Sequence, residues 1–293
     1  MIYLLGNNAL TFYLAAKLQD SGKDFRIMAG RKENIDIETN GITLKEEHTL
    51  SKKRYKFKTA FLIKDQPELV IISCDAHQIN RHLTLLSPQA LRSVPVLFFP
   101  PLPDIAYIEN LLNPDLIHAY FNGYLTQKNN IVSLSGPAPD IRLGGNLKKP
   151  GINRLLQTLN DTKLTLSVTE DENLAFWEYF IPYAAGSLFT AYHEQTLTQL
   201  NRRPENKEKL KALVNELADL AAKDLVLVPR ENILVQLFST PSAYNYPLFD
   251  SLKTHAQTDV ALVCGTLAER IRAKPADYPL LRQILKKLYG AFV

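Results

Sequence analysis

An apolar run, Ile2-Tyr3-Leu4-Leu5, stops at Gly6, and Asn7-Asn8-Ala9-Leu10-Thr11 then leads into a helical pattern. A strand that ends in a glycine turn and opens a helix presents backbone N–H groups and the positive end of the helix dipole to an anion, which is how a dinucleotide pyrophosphate is held. The usual fingerprint is G-x-G-x-x-G: the first glycine makes the turn, the second admits the pyrophosphate, and the third packs helix on strand. Only Gly6 is present here. Asn8 stands at the point of closest approach, where asparagine's tolerance of unusual backbone angles suits it. Thr11 replaces the packing glycine and predicts a slightly wider gap between helix and strand. Gly6, Asn7, Asn8, Ala9 and Leu10 are therefore the candidate pyrophosphate loop. A plain strand-turn-helix, with the asparagines as turn formers, is the alternative.

The next strand, expected over residues 25–29, ends at Gly30-Arg31-Lys32. An acidic residue at this strand end suits the ribose hydroxyl of NAD, and a basic one suits the 2′-phosphate of NADP. Arg31 and Lys32 thus point to NADP, against two solvated charges on a loop.

The elements that must position these residues follow a legible order. Apolar runs at residues 69–73 and 94–99 are of the buried parallel-strand type, with helices expected over 10–20 and 76–91. Further strands are expected at 117–122, 131–134, 141–143 and 163–168, with a helix at 151–160 before the last. Beyond residue 169 only helical patterns remain, at 171–193, 206–225, 230–238, 258–273 and 276–289. The fold class is α/β: a Rossmann-type doubly wound sheet over residues 1–169 and an all-helical domain over 170–293. With 293 residues two domains are the default, and 46% hydrophobic with 22% charged residues is ordinary globular composition.

A net charge of +4 is too mild to imply a nucleic-acid partner. The basic run over residues 52–58 interleaves aromatics and has a nucleic-acid reading, but the alternation favours an exposed strand with one wet face. Cys74 and Cys264 lie in apolar surroundings and are too few for a disulfide framework. No stretch approaches the roughly 18 apolar residues of a membrane span, and the N-terminus lacks a signal peptide's basic start. A cytoplasmic location is expected.

The strand-end Arg31, the Trp177-bearing helix that opens the second domain, and Thr258-Asp259-Val260-Ala261-Leu262-Val263-Cys264-Gly265 together resemble the ketopantoate reductases. These are NADPH-dependent enzymes that reduce 2-dehydropantoate to pantoate in pantothenate and coenzyme A synthesis. Thr258, Asp259, Val260, Val263 and Gly265 follow the family's T-E-I-D-x-I-N-G, which places Asp259 at the acidic position that binds substrate hydroxyls. Asp250 matches the aspartate ending an S-S-M-x-x-D segment, whose serines become Asn245 and Tyr246, the further candidate substrate contacts. The resemblance also puts Ser73 and Asp75 beside the cofactor, Asp75 in place of a family lysine. The family's W-x-K-x-x-x-N reads Trp177-Glu178-Tyr179-Phe180-Ile181-Pro182-Tyr183, so the lysine acid is Tyr179 and the asparagine is Tyr183. Its N-G-x-G segment is Pro100-Pro101-Leu102-Pro103.

Ketone reduction needs a hydride and a proton for the oxygen that becomes negative. A tyrosine, with a free pKa of about 10 against about 10.4 for lysine, is a plausible replacement donor. Tyr179 and Tyr183 are four apart and share a helix face, which serves catalysis if that face lines the interdomain cleft. The competing reading is an aromatic core helix, kinked or broken at Pro182. His77 and His193 titrate in the right range for an acid, although surface or helix-end histidines are commoner. Glu178 and His193 lack metal-ligand spacing, and no metal is expected. The remaining alternatives are a reductase of a different 2-keto acid and a non-catalytic nucleotide-binding or interaction protein. The helical domain can bury its apolar face against a second copy, as a homodimer, or against the first domain.

Overall fold

The computed structural model describes residues 1–63, 66–73, 94–99, 116–145, 152–242, 244–249 and 257–290, with backbone alone for 257–262. The expected helix at 76–91, together with Cys74, Asp75, His77, Pro100-Pro101-Leu102-Pro103, Asp250 and the Asp259 side chain, lies outside the described residues. The chain divides into two compact units, Met1–Glu172 and Asn173–Val293.

The first unit runs β1 (Ile2–Leu5), α1 (Ala9–Asp20), β2 (Phe25–Met28), α2 (Arg31–Asn40), β3 (Ile42–Glu46), β4 (Ser51–Tyr55), β5 (Thr59–Ala60), β6 (Leu69–Ile72), β7 (Val96–Phe98), β8 (Leu116–Lys128), β9 (Ile131–Gly144), α3 (Ile152–Asp161) and β10 (Thr165–Thr169). Its sheet has the order β4-β3-β9-β8-β7-β6-β1-β2-β5, with β10 on β9. β1 is parallel to both β2 and β6. From β1 the chain adds β2, lays β3 and β4 at the far edge beside β9, returns to place β5 beside β2, and then crosses to the other side of β1 for β6, β7 and β8, so the winding reverses between β1 and β6. Doubly wound sheets bind ligands beyond the carboxyl ends of the strands at such a reversal. The central strands read as unbroken apolar runs because both faces are buried. Leu4, Ile71 and Leu97 enter one core, while Leu5, Ile72 and Phe98 enter the other.

Three expectations change in the first unit. Residues 131–134 and 141–143 belong to the single strand β9, antiparallel to β8. The ladder breaks between Asn122 and Tyr124, opposite Gly136-Pro137-Ala138-Pro139, where two prolines have no N–H to give. The basic run, by contrast, keeps one wet face from Arg54 on: Arg54, Lys56 and Lys58 are exposed while Tyr55 and Phe57 are buried, and only at the start of edge strand β4 are Lys52 and Lys53 both exposed. The last strand starts at Thr165 because Lys163 adopts a left-handed φ of 59°. Finally, α2 and β3 occupy a segment where no element was expected, since α2 buries only Asn34 and Ile37 and has no apolar stripe.

The second unit is built from α4 (Glu172–His193, whose first residue closes the first unit), α5 (Leu197–Leu200), α6 (Pro204–Lys223), α7 (Arg230–Phe238), α8 (Gln257–Ile271) and α9 (Pro279–Tyr289). Among its described residues there is no strand. α6 begins two residues earlier than expected because Pro204 suits the first helical position, where no N–H is needed. The helix expected over 276–289 is instead a 3-10 turn, Pro275–Asp277, followed by α9. Pro182 neither breaks nor ends α4. It withholds one N–H from the Glu178 carbonyl, and the long buried face through Ala184, Ala185, Leu188 and Phe189 carries the helix past it. Trp177 is anchored in the core: its Nε1 donates to Asp224 Oδ2 (3.1 Å), and Arg270 Nη1 donates to the same oxygen (2.7 Å). Among the described residues no helix is long and apolar enough to cross a membrane.

Candidate functional site

The turn after β1 accepts glycine alone. Gly6 has φ 147°, and a Cβ there would lie 2.4 Å from Thr11 Oγ1 and 3.1 Å from the Ser73 carbonyl oxygen. Asn8 was expected to exploit unusual backbone angles, but it is extended, at φ −133° and ψ 175°. It serves as the N-cap of α1: its Oδ1 accepts from the Thr11 amide (3.0 Å) and the Thr11 hydroxyl (3.0 Å). Its Nδ2 reaches across the β1/β6 reversal to the Ser73 carbonyl (2.5 Å), and the Thr11 and Ser73 hydroxyls bond each other (2.9 Å). Thr11, in the place of the packing glycine, thus becomes a buried polar clasp between α1 and the end of β6. Ser73 supports the turn from beneath, its N–H bonded to the Leu5 carbonyl (3.0 Å).

Among the described residues, the N–H groups of Ala9 and Leu10 in the first turn of α1 have no acceptor. Two open amides at a helix N-terminus, above a glycine whose missing Cβ leaves room, fit a phosphate oxyanion. At the end of β2, Gly30 caps α2, and Arg31 and Lys32 open that helix rather than lying on a loop. Both side chains are exposed and, among the described residues, form no ion pair. Buried Asn34 fixes this corner: its Oδ1 accepts from the Ala29 amide (3.2 Å) and its Nδ2 donates to the Ala60 carbonyl (3.3 Å). Sequence reading passed over Asn34 because its partners carry no side-chain signal. It also passed over buried His118, which pairs with Glu172 and packs against the Phe98 ring in the last row of the sheet.

In the second unit, α4 separates its aromatics by face. Trp177 and Phe180 are buried against each other, while Tyr179 and Tyr183 point away from Trp177 and Ala184, as about 100° per residue requires. The two phenol rings stack at 6.0 Å and 8° and are both half-buried. Burial pushes the Tyr179 phenol up to about 12. Tyr246 is buried: its ring lies on Gly186, where a Cβ would meet Cζ at 2.1 Å, and its hydroxyl bonds Thr240 (3.3 Å). Asn245 is half-buried beside it. The backbone of Asp259 lies in α8. His193 sits edge-on to Phe189 and Tyr192; burial, with Lys209 and Lys287 nearby, holds it below the usual imidazole range, which suits packing better than acid catalysis. The Cys264 thiol is pushed up to about 12 by burial and is inert. Among the described residues no cluster of His, Cys, Asp or Glu could hold a metal ion.

Residues 2–99 match the family model described as ketopantoate reductase PanE/ApbA. No curated protein sequence matches the chain. Among solved structures, D-mandelate dehydrogenase with NADH and anilino(oxo)acetate is 14% identical, with a TM-score of 0.82 over 99% of this chain and 98% of that one. The 2-dehydropantoate 2-reductase from Geobacter metallireducens GS-15 is 16% identical, with a TM-score of 0.82 over 98% and 99%. A dimeric ketopantoate reductase from Staphylococcus aureus is 15% identical, with a TM-score of 0.79 over 99% and 97%. At these identities the likeness is one of fold, and it spans both units. The D-mandelate dehydrogenase neighbour was solved with NADH, and the Geobacter metallireducens and Staphylococcus aureus neighbours are reductases by name.

Proposed function

We propose, from the match of residues 2–99 to the ketopantoate reductase PanE/ApbA family model, that this chain is a cytoplasmic NADPH-dependent reductase converting 2-dehydropantoate to pantoate. The observation that carries the reading is the Gly6 turn: within the matched segment it sets two open amides at the reversal of a doubly wound sheet. When bound, the nicotinamide supplies the hydride that goes to the keto carbon. The chain supplies the rest. The Ala9 and Leu10 amides hold the pyrophosphate, and Arg31 with Lys32 offsets the 2′-phosphate. Tyr179, kept protonated by burial, gives its proton to the carbonyl oxygen as charge develops there. Asp259 takes the role of holding substrate hydroxyls, as the family motif implies. The dimeric Staphylococcus aureus neighbour supports a homodimer.

A second reading, reduction of an aryl 2-keto acid, is favoured by the stacked Tyr179 and Tyr183 rings where the family pattern has lysine and asparagine. The purified chain should consume NADPH with ketopantoate and restore growth to a pantothenate-requiring strain lacking its own reductase. Failure of both, with turnover of phenylglyoxylate, selects the second reading; no turnover of any 2-keto acid rejects both.

Arg31→Ala should weaken NADPH by about 10- to 100-fold, the worth of one or two charge-assisted hydrogen bonds at roughly 1.5–3 kcal/mol. NADH should be little affected. Equal weakening of the two cofactors, measured by fluorescence titration, rejects the phosphate assignment.

A further inference from the structure

Cations lie on both faces of the β4-β3-β9-β8 end of the sheet. On the inner face each has an acid: Lys17 pairs with Glu46 (2.7 Å) and Lys53 with Asp20 (2.5 Å). On the outer face, register sets Lys52 directly opposite Lys45, which is itself opposite Ser133, with Thr126 next in the row. One row over come Arg54, Thr43, Ile131 and Lys128. Directly opposite side chains start about 5 Å apart, so Lys45 and Lys52 repel at close range. Among the described residues neither they nor Lys128 has a hydrogen bond or ion pair. Arg54 donates to the Asn40 carbonyl and keeps its charge. Lys52, Arg54 and Lys128 are exposed, with Thr43, Lys45, Thr126 and Ser133 half-buried between them.

We propose that this outer face is a docking surface for the phosphodiester backbone of duplex DNA, bound without sequence preference. Lysine, arginine and hydroxyl side chains are the groups that contact phosphates. A protein partner would need an apolar, aromatic-rich centre, and the exposed large apolar residue on this face among those described is Ile131 alone. Single strands are held mainly by stacking on aromatics, and the face exposes none: Tyr124, in line with Thr126 and Lys128, is buried. What remains is neutralisation of phosphates, which is strongest on the duplex with its higher charge density. Lysines on an edge strand also deter strand-to-strand aggregation. That role explains the cations of β4 but not Lys45 on β3 or Lys128 on β8, which lie inside the edge.

The test is a salt titration of the full chain with a short fluorescent DNA duplex of arbitrary sequence. Three to four neutralised phosphates give a log–log slope of about −3 to −4, so affinity should fall about 100-fold between about 50 and 200 mM salt. Lys45→Ala, Lys52→Ala and Lys128→Ala should each flatten the slope by about 0.9, whereas Lys53→Ala, on the inner face, should leave it unchanged. Melting curves check that each variant folds. No binding at low salt, or equal slopes in all four variants, overturns the proposal. Tighter binding of polyglutamate would reassign the face to an acidic protein, and tighter binding of a single strand would reject the duplex.

Discussion

Gly6→Ala should raise the Kd for NADPH at least 100-fold and lower the stability of the first unit by about 3 kcal/mol. Two independent costs combine. The φ of 147° is strained for any residue with a side chain, at roughly 1–3 kcal/mol. The new Cβ would also sit 2.4 Å from Thr11 Oγ1, and that oxygen has no free space to retreat into, because it is bonded to Asn8 and Ser73. Either Thr11 rotates and leaves buried partners unsatisfied, at about 1–3 kcal/mol, or the turn shifts. Both outcomes move the Ala9 and Leu10 amides, and the displacement is what NADPH binding should register. Adding Thr11→Ala removes the clash but not the φ strain, so the double variant should recover part of the lost melting temperature and little of the affinity. Wild-type NADPH affinity in a folded Gly6→Ala protein would show that this turn does not hold the cofactor.

The same turn shows how far the sequence could be read. Its place was legible because β1 and β6 bury both faces, leaving apolar runs that stop abruptly at Gly6 and Ser73. The purpose of its residues was less legible. Asparagine suits both a left-handed turn and a helix cap, and only the geometry separates them: Asn8 is extended and caps. Thr11 looked like a lost glycine, yet its hydroxyl closes a bond to Ser73, 62 positions away, which no local pattern encodes. Asn34 and His118 were missed for the same reason, since their partners Ala60 and Glu172 are distant in the chain. Long-range packing likewise fixes Tyr246. Motif position made it a candidate substrate contact, and the structure adds that its ring fills the space over Gly186. The split reading of β9 has a different origin: Pro137 and Pro139 interrupt the ladder without ending the strand. On α4 the four-residue spacing did carry through, and the structure adds that Tyr179 and Tyr183 lie off the face that buries Trp177.

Tyr179→Phe should lower turnover of the keto acid by about 10²-fold, at the lower end of what a general acid contributes, while leaving the Kd for NADPH unchanged. The substitution keeps the ring and its stacking on Tyr183 and removes only the proton. Its pH signature is specific. Burial raises this phenol to about 12, so the protonated donor persists below that value, and no limb from Tyr179 should appear between pH 5 and about 10. As pH rises further the donor is lost, and turnover should fall through the region near 12 as far as the fold survives. A product alkoxide is more basic still, so the proton moves downhill even from a phenol raised this far. Tyr183→Phe should act more weakly, because Tyr183 reaches the chemistry through its contact with Tyr179. Unchanged turnover in both variants removes tyrosine from the mechanism. A limb near neutrality that survives Tyr179→Phe would instead assign the proton to an imidazole, and His193, held below its usual range among Phe189, Tyr192 and two nearby lysines, is poorly placed to provide it.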